Sequence, residues 1–327
     1  MSSYSPQIPE IEVQPGSAPL VSVVILSYNR PACLKEALAS IFSQTYGNVE
    51  VLVVDNASPC ATEIREVVSG FPSAKLFISP TNLGYAGGMN AGVSLARGKY
   101  VYLSEDDMCS EPRCVEKLVA YAESDASAGV LSGSLYSRDT NALICCGGQV
   151  HLRPAFVWRL YDRAAFESCS VAGPYCTDYV TGAMMFFSRQ LFLDIGGFRN
   201  DFFMYFEDTE LCQRLLAQGR AVVVVPDAVA YTRDSTNSAT TAAVEFHKFK
   251  NLMALYLLHA KATVIPEFLL RNVVLGLLRR ILSGQFGTAL RLAKAAGWVA
   301  LSSPRLLRER GRKSAVTDFS SVEVRSN

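Results

Sequence analysis

Three acids in a row, Glu105-Asp106-Asp107, close the apolar run KYVYLS at 99–104. Adjacent carboxylates repel one another, so the cluster is costly unless a cation sits beside it. A divalent metal that grips a diphosphate is such a cation, because Mg2+ and Mn2+ take carboxylate and phosphate oxygens. Asp106 is the principal candidate ligand, with Asp107 or Glu105 assisting. A solvated acidic turn or helix cap is the competing reading. A second acidic pair, Glu207-Asp208, opens a helical pattern. Acids at a helix N-terminus suit the macrodipole. In a cleft, such a carboxylate can act as general base on an acceptor hydroxyl; elsewhere it is a cap. The third cluster is Asn82-Leu83-Gly84-Tyr85-Ala86-Gly87-Gly88-Met89-Asn90. Glycines at a loop-to-helix junction let a ligand approach the backbone, or form a plain turn.

Missing patterns narrow the chemistry further. The glycine cluster lacks the Gly-Lys-Ser/Thr ending of a P-loop. It does not follow the first strand, as a dinucleotide fingerprint would. No GxSxG elbow exists, which disfavours an α/β-hydrolase. His151, His247 and His259 are far apart in sequence and read as surface or packing residues. The nine cysteines form no CxxC pair, so reduced, buried thiols in a cytosolic compartment are expected.

The elements that must carry these residues alternate. VSVVILS (21–27), VEVLVVD (49–55), AKLFIS (74–79), KYVYLS (99–104) and a run near 129–134 read as strands. Helices are expected after Arg30-Pro31, over 88–97 and over 111–123. This alternation predicts an α/β fold with a mostly parallel sheet covered on both faces. Ligands then bind beyond the carboxyl ends of the strands. Ser27-Tyr28-Asn29-Arg30, Asp55-Asn56-Ala57-Ser58 and Glu105-Asp106-Asp107 should therefore converge on one edge. Short antiparallel strands and loops, including Phe156-Val157-Trp158, are expected over 135–180. YVTGAMMFFS (179–188) and AVVVVP (221–226) read as further strands.

From about Ala242 the chain becomes helical and basic. Between Val264 and Lys313 ten basic residues face only Glu267 and Glu309, a charge of about +8. The apolar stretch 264–282 carries too many charges for a transmembrane span. It suits either an anionic membrane surface or packing on the catalytic part or a second subunit. Residues 1–20 read as a flexible lead-in without a signal peptide, and the residues after Ser314 as a polar, disordered tail.

The whole chain has 327 residues, of which 50% are hydrophobic and 19% charged, so it must bury a core and is not disordered. A formal net charge of +1 argues against a general nucleic-acid binder.

Taken together and in order, VSVVILSYNRP, VEVLVVDNAS, NLGYAGGMNAG, GKYVYLSEDD and VTGAMMFFSRQLFLDIGGFRNDFFMYFEDTELCQRL resemble the family 2 glycosyltransferases, in particular a bacterial rhamnosyltransferase-like branch. These pieces span about 21–235. The resemblance implies a GT-A fold over 21–241, with a helical region over 242–313. It implies an inverting sugar transfer from a nucleotide-sugar donor, with dTDP-rhamnose the donor suggested by the branch. The acceptor would be a hydroxyl of a cell-surface glycan or a lipid-linked precursor. The site would lie on the cytoplasmic face of the membrane, with peripheral contact or a homodimer through the C-terminal helices.

Carried over by position, Ser27, Asn29 and Arg30 line the nucleotide pocket and Asp55 contacts the base. Asn82, Gly84, Gly88 and Asn90 sit near ribose and diphosphate. Gly182 lies by the donor sugar. Asp106, aided by Asp107, holds Mg2+ or Mn2+, and Asp208 is the base. Two positions depart from the pattern. Ser104 replaces the first acid of the family's DxD. No histidine follows the last strand, where AVAYTRDSTNS (228–238) places Arg233 as a candidate cation for the diphosphate. A degenerate, non-catalytic nucleotide-sugar-binding or scaffold protein is the alternative.

Overall fold

A computed structural model describes residues 18–152, 173–233, 241–310 and 325–326. Its first half is built as the alternation predicts. Strand β1 (Val21–Ser27) lies between β2 (Val49–Asp55) and β4 (Tyr100–Glu105), parallel to both, and β3 (Ala74–Ile78) extends the sheet beyond β2. Successive side chains alternate between two cores. Val23, Ile25, Val51, Val53 and Tyr102 face one; Val24, Leu52, Val54, Val101 and Leu103 face the other.

Helices cover both faces. On the first, α1 (Pro31–Phe42) buries Leu34, Leu38 and Ile41, with Pro31 in its opening turn. α2 (Ala61–Ser69) and α4 (Cys114–Ser124) complete that layer; between β4 and α4 lies the short β5 (Met108–Ser110). On the second face, α3 (Gly84–Leu95) packs close to the sheet. Gly88 sits against Leu26 and Gly92 against Val24, where a Cβ would overlap the side chain.

The second half mixes directions. β6 (Ala128–Ser137) is followed by β7 (Leu143–Cys145), which pairs antiparallel with it. β8 (Tyr175–Cys176) pairs with β10 (Ala221–Thr232), and β9 (Met184–Ser188) runs antiparallel to β4. Between β9 and β10 lie α5 (Arg189–Asp194) and α6 (Glu207–Ala217). Among the described residues the strands form one sheet, ordered β11-β3-β2-β1-β4-β9-β6-β10-β5, where β11 is Arg325–Ser326.

Several elements differ in extent from expectation, among them β6, which runs on to Ser137. α3 begins at Gly84 rather than Gly88, because Asn82 and Asn56 side chains accept from the Gly84 and Leu83 N–H groups ahead of it. α4 begins at Cys114, after Pro112. β9 covers only Met184–Ser188, since Gly182 is drawn into a turn. β10 runs on to Thr232, with a shift in its register on β6 between Val224 and Val229.

The C-terminal region is helical, as expected. α7 (Ala242–His259) starts at Thr241, whose hydroxyl accepts from the Val244 N–H. α8 (Ile265–Leu269), a π turn (Leu270–Val274), α9 (Leu275–Leu282) and α10 (Phe286–Glu309) follow. Their core joins Met253, Tyr256, Phe268, Leu292 and Val299 to Phe202 from the segment ahead of α6. Among the described residues no helix is long and apolar enough to cross a membrane, and the cysteines form no disulfide. Phe156-Val157-Trp158, most of the lead-in and all but two residues of the tail lie outside the described residues.

Candidate active site at the carboxyl edge of the sheet

Strand register brings the expected clusters together. Ser27 at the end of β1 is opposite Asp55 at the end of β2, and Leu26 is opposite Glu105 at the end of β4. Asp106, just beyond, is fully buried. One of its oxygens accepts from the Ser27 hydroxyl and the Tyr28 N–H, each at 3.0 Å. Arg30 approaches the other at 2.6 Å and also donates to Asp107. A solvated turn does not describe this carboxylate.

The carboxyl end of β2 carries a second polar cluster. Asp55 is buried; one oxygen accepts from the Ser58 N–H at 3.1 Å and the other has no partner. Asn29, at φ +60°, donates its N–H to the Ser58 hydroxyl at 2.9 Å. Asn56 donates to Asn82 at 3.2 Å and to the Gly84 carbonyl at 3.0 Å. These bonds set the Gly84 turn at φ +70°, where a side chain would collide with Phe203. Gly88 and Asn90 lie further along α3. Asn90 is buried, donating to Phe198 and Asn200 at 2.8 Å and accepting from the Phe198 N–H at 2.9 Å.

Asp208 is carried by the first turn of α6. Its helix follows a segment with positive φ at Phe203, Tyr205 and Phe206. One Asp208 oxygen accepts from the Gly182 N–H and the Tyr179 hydroxyl, each at 3.0 Å. The other accepts from Thr209 N–H at 2.6 Å. Gly182 precedes Met184, which is opposite Ser104 on β4. The turn that grips Asp208 is thus two residues ahead of β9, which pairs with the strand that delivers Glu105 and Asp106.

The sequence did not single out Asn251, Tyr85 or Tyr179. Asn251 on α7 donates to the carbonyls of Phe202, Met204 and Tyr205 at 2.7–2.9 Å, pinning the strained segment. A lone amide within the apolar run NLMALYLL was the available signal. The tyrosines carried none, because the partner of Tyr85 lies 97 residues away in sequence and that of Tyr179 lies 29 away.

Arg233 is exposed and paired with Glu36 at 2.8 Å, and Glu36 also holds Arg138. Thr232 beside it is opposite Met108, next to Asp107. His259 contacts Glu210 at 3.2 Å and His247 stacks on Phe203, in line with packing roles.

The acids raise one another's affinity for protons. Burial, then Asp107, pushes Glu105 up to about 8. Burial pushes Asp106 up to about 6, against the pull of Arg30. Burial raises Glu207 well above the carboxylate range, helped by Asp208, and burial raises Asp208 despite its hydrogen bonds. Such a cluster favours a cation. Among the described residues no group of three or more His, Cys, Asp or Glu forms a metal cage. Two carboxylates completed by phosphate oxygens and water suit Mg2+ or Mn2+. Asp106, with a buried oxygen that no hydrogen bond satisfies, and Asp107 fit that donor set.

Comparison with known proteins agrees with this geometry. The model of "Glycosyl transferase family 2" matches residues 22–192, over half of the chain, and that of "N-terminal domain of galactosyltransferase" matches 163–235. A Mycobacterium tuberculosis N-acetylglucosaminyl-diphospho-decaprenol L-rhamnosyltransferase is 26% identical over 229 residues, 64% of this chain and 74% of that protein. An uncharacterized glycosyltransferase of Haemophilus influenzae is 32% identical over 109 residues, 33% of this chain. That match, and those to two other uncharacterized glycosyltransferases, span only 34%, 41% and 45% of the relatives' lengths. Among solved structures, the mannosyltransferase PcManGT from Pyrobaculum calidifontis, in complex with GDP-Man and Mn2+, aligns with TM-score 0.55 at 19% identity. It covers 93% of this chain and 87% of its own. GalNAc-T7 with UDP, GalNAc and Mn2+ aligns with TM-score 0.60 at 15% identity, over 74% of this chain and 49% of its own. These likenesses bear out the GT-A class of fold. On the family match, and with the edge-clustered carboxylates in place, the chain belongs to glycosyl transferase family 2.

Proposed function

We propose that the chain is an inverting glycosyltransferase that moves a sugar from a nucleotide-sugar donor to an acceptor hydroxyl. One observation carries this reading. Asp208, held by Gly182 and Tyr179, faces the edge where β4 delivers Asp106. In this reading one carboxylate takes a proton and the other anchors the donor's leaving group.

In this reading Ser27, Asn29 and Arg30 border the nucleotide. The unpartnered oxygen of Asp55 accepts from an N–H of the base. Asn82 and Gly84 meet the ribose and diphosphate, while Gly88 and Asn90 set α3 behind them. Gly182 lies beside the donor sugar. A metal held by Asp106 and Asp107 would neutralise charge on the departing diphosphate. Asp208 takes the acceptor's proton as the hydroxyl attacks the anomeric carbon from the face opposite the leaving group. One displacement inverts that carbon, with no covalent enzyme intermediate. Arg233 is a further cation for the diphosphate, once free of Glu36.

The likeness to the Mycobacterium tuberculosis L-rhamnosyltransferase, named for a diphospho-decaprenol acceptor, supports rhamnose, carried in this reading by dTDP, as the sugar and a lipid-linked precursor, ahead of a cell-surface glycan, as acceptor. The outward side of α9 supports contact with a membrane surface, which in this reading is the cytoplasmic one. Leu275, Leu278, Ile281 and Leu282 are exposed there alongside Arg279.

Thermal shift and turnover test the reading. The full chain is melted with dTDP, UDP and GDP, with and without Mn2+, then assayed for sugar transfer and slow donor hydrolysis. One nucleotide should raise Tm by mass action, more with metal, and its sugar donor should turn over with inversion. Binding without turnover would select the alternative, a non-catalytic nucleotide-sugar-binding protein. The missing histidine after β10 favours that second reading.

A further inference from the structure

Arg30 touches both candidate metal carboxylates at once. One guanidinium nitrogen lies 2.6 Å from Oδ1 of Asp106, and the other donates to Asp107. That Asp106 oxygen is buried and has no aligned hydrogen bond, so its contact with Arg30 is one of charge. The second Asp106 oxygen is already satisfied by Ser27 and Tyr28. The arginine side chain is 45% exposed, while the aspartate's is 0% exposed. Arg30 therefore enters from the solvent side and has room to leave by it. A divalent cation between the two carboxylates cancels their two charges. A guanidinium kept in the same place would add uncompensated positive charge beside it.

We propose that Arg30 is the resident counter-ion of Asp106 and Asp107, and that a divalent metal displaces it onto the donor's diphosphate. The inference rests on those two aspartates being the metal carboxylates. Metal arriving alone must break the Arg30 contacts, and so binds weakly. When a diphosphate arrives with it, the released guanidinium gains an anion that fits its two-pronged geometry. Metal and nucleotide thereby help each other bind, to the same degree in both directions. Arg30 acts in this scheme as a positioning residue that couples the two.

Mn2+ binding to the full chain, read from the free-ion electron paramagnetic resonance signal, tests this without any turnover. Arg30→Gln should bind Mn2+ alone about two- to fivefold more tightly than wild type, the scale of one partly exposed ion pair. The same variant should bind dTDP or UDP more weakly at saturating Mn2+. These opposite signs separate the proposal from a structural role, which would weaken both. Unchanged or weaker Mn2+ binding by Arg30→Gln would overturn it. If that variant does not fold, the wild-type chain carries the test: equal Mn2+ affinity with and without the nucleotide overturns the proposal, and tighter binding with it is expected. A chain that turns over no sugar donor yet shows the opposite signs keeps this inference and loses only the transferase reading.

Discussion

Gly182 and Asp208 are joined by one backbone hydrogen bond, from the Gly182 N–H to the carboxylate at 3.0 Å. The Tyr85 hydroxyl holds the same glycine by its carbonyl at 2.5 Å. The orientation of Asp208 is thus set by the turn ahead of β9 and by α3, as well as by its own helix. Asp208→Asn keeps the shape and removes the base. It should lower kcat by about 10²- to 10⁴-fold with donor affinity nearly unchanged. It should lower Tm modestly, since both Asp208 oxygens accept backbone N–H groups and an amide can accept at only one of them. Steady-state kinetics with calorimetric donor titration checks this; a kcat loss below about tenfold would remove Asp208 as base.

The pH profile should carry the same signature. Burial raises the Asp208 pKa above the ordinary aspartate range, and the Tyr179 hydroxyl pulls it back by binding the charged form. The base works deprotonated, so kcat should climb with pH through this raised pKa. Tyr179→Phe removes the stabilising hydrogen bond, and the climbing limb should move to higher pH. A limb that stays in place in the variant would show that another group titrates.

Much of the fold was legible because β1, β2 and β4 are apolar runs that end abruptly in polar residues. Sheet physics then requires Ser27, Asp55 and Glu105 to share an edge. The acid clusters were legible for the same reason. Asn251 was not, because it acts through three carbonyls in a segment some fifty residues earlier in the chain. Nor was the Arg30 contact, since spacing alone cannot tell a pocket arginine from one paired with Asp106 and Asp107. Asn90 shows the reverse limit. Its position in a familiar motif suggests a ligand contact, while its amide is engaged by Phe198 and Asn200.

Gly84 is held at φ +70° with its α-carbon against the Phe203 carbonyl, and Ala86 N–H donates to that carbonyl at 3.1 Å. A methyl group there meets both an unfavourable backbone region and a collision with backbone. Gly84→Ala should destabilise by about 2–4 kcal/mol. It should also weaken donor binding, by shifting the Asn82 turn. Urea unfolding and nucleotide titration read the two effects. An unchanged midpoint would mean that the turn yields easily.

Glu210 controls acid stability. It is buried beside Arg214 at 2.9 Å and His259 at 3.2 Å. Burial opposes its ionisation, but Arg214 and His259 hold its pKa down to about 2 from an ordinary 4.5. A carboxylate with a depressed pKa stabilises the fold fully above 4.5 and loses that contribution as pH falls toward about 2. Glu210→Gln leaves Arg214 buried without its anion and should cost about 3–5 kcal/mol at neutral pH. The variant should also lose less stability than wild type between pH 4.5 and 2, a difference measured by urea midpoints across that range.

The outward side of α9 poses a choice that charge helps to decide. Leu275, Leu278, Ile281 and Leu282 follow helical spacing and face solvent, with Leu282 87% exposed. Monomeric proteins seldom leave such a stripe uncovered. Exposed Arg271 and Arg279 flank it. Anionic lipid headgroups would be attracted to Arg279, and to Arg271 beyond its pairing with Glu267. Lipid is therefore the expected partner, with apolar burial and charge attraction adding together. Wild type should sediment with phosphatidylglycerol vesicles at moderate salt and much less with neutral ones. Leu278→Glu together with Ile281→Glu should abolish sedimentation while leaving nucleotide binding intact. Failure of wild type to bind anionic vesicles, with a dimer in sedimentation equilibrium that the double variant dissolves, would assign the stripe to a second copy of the chain.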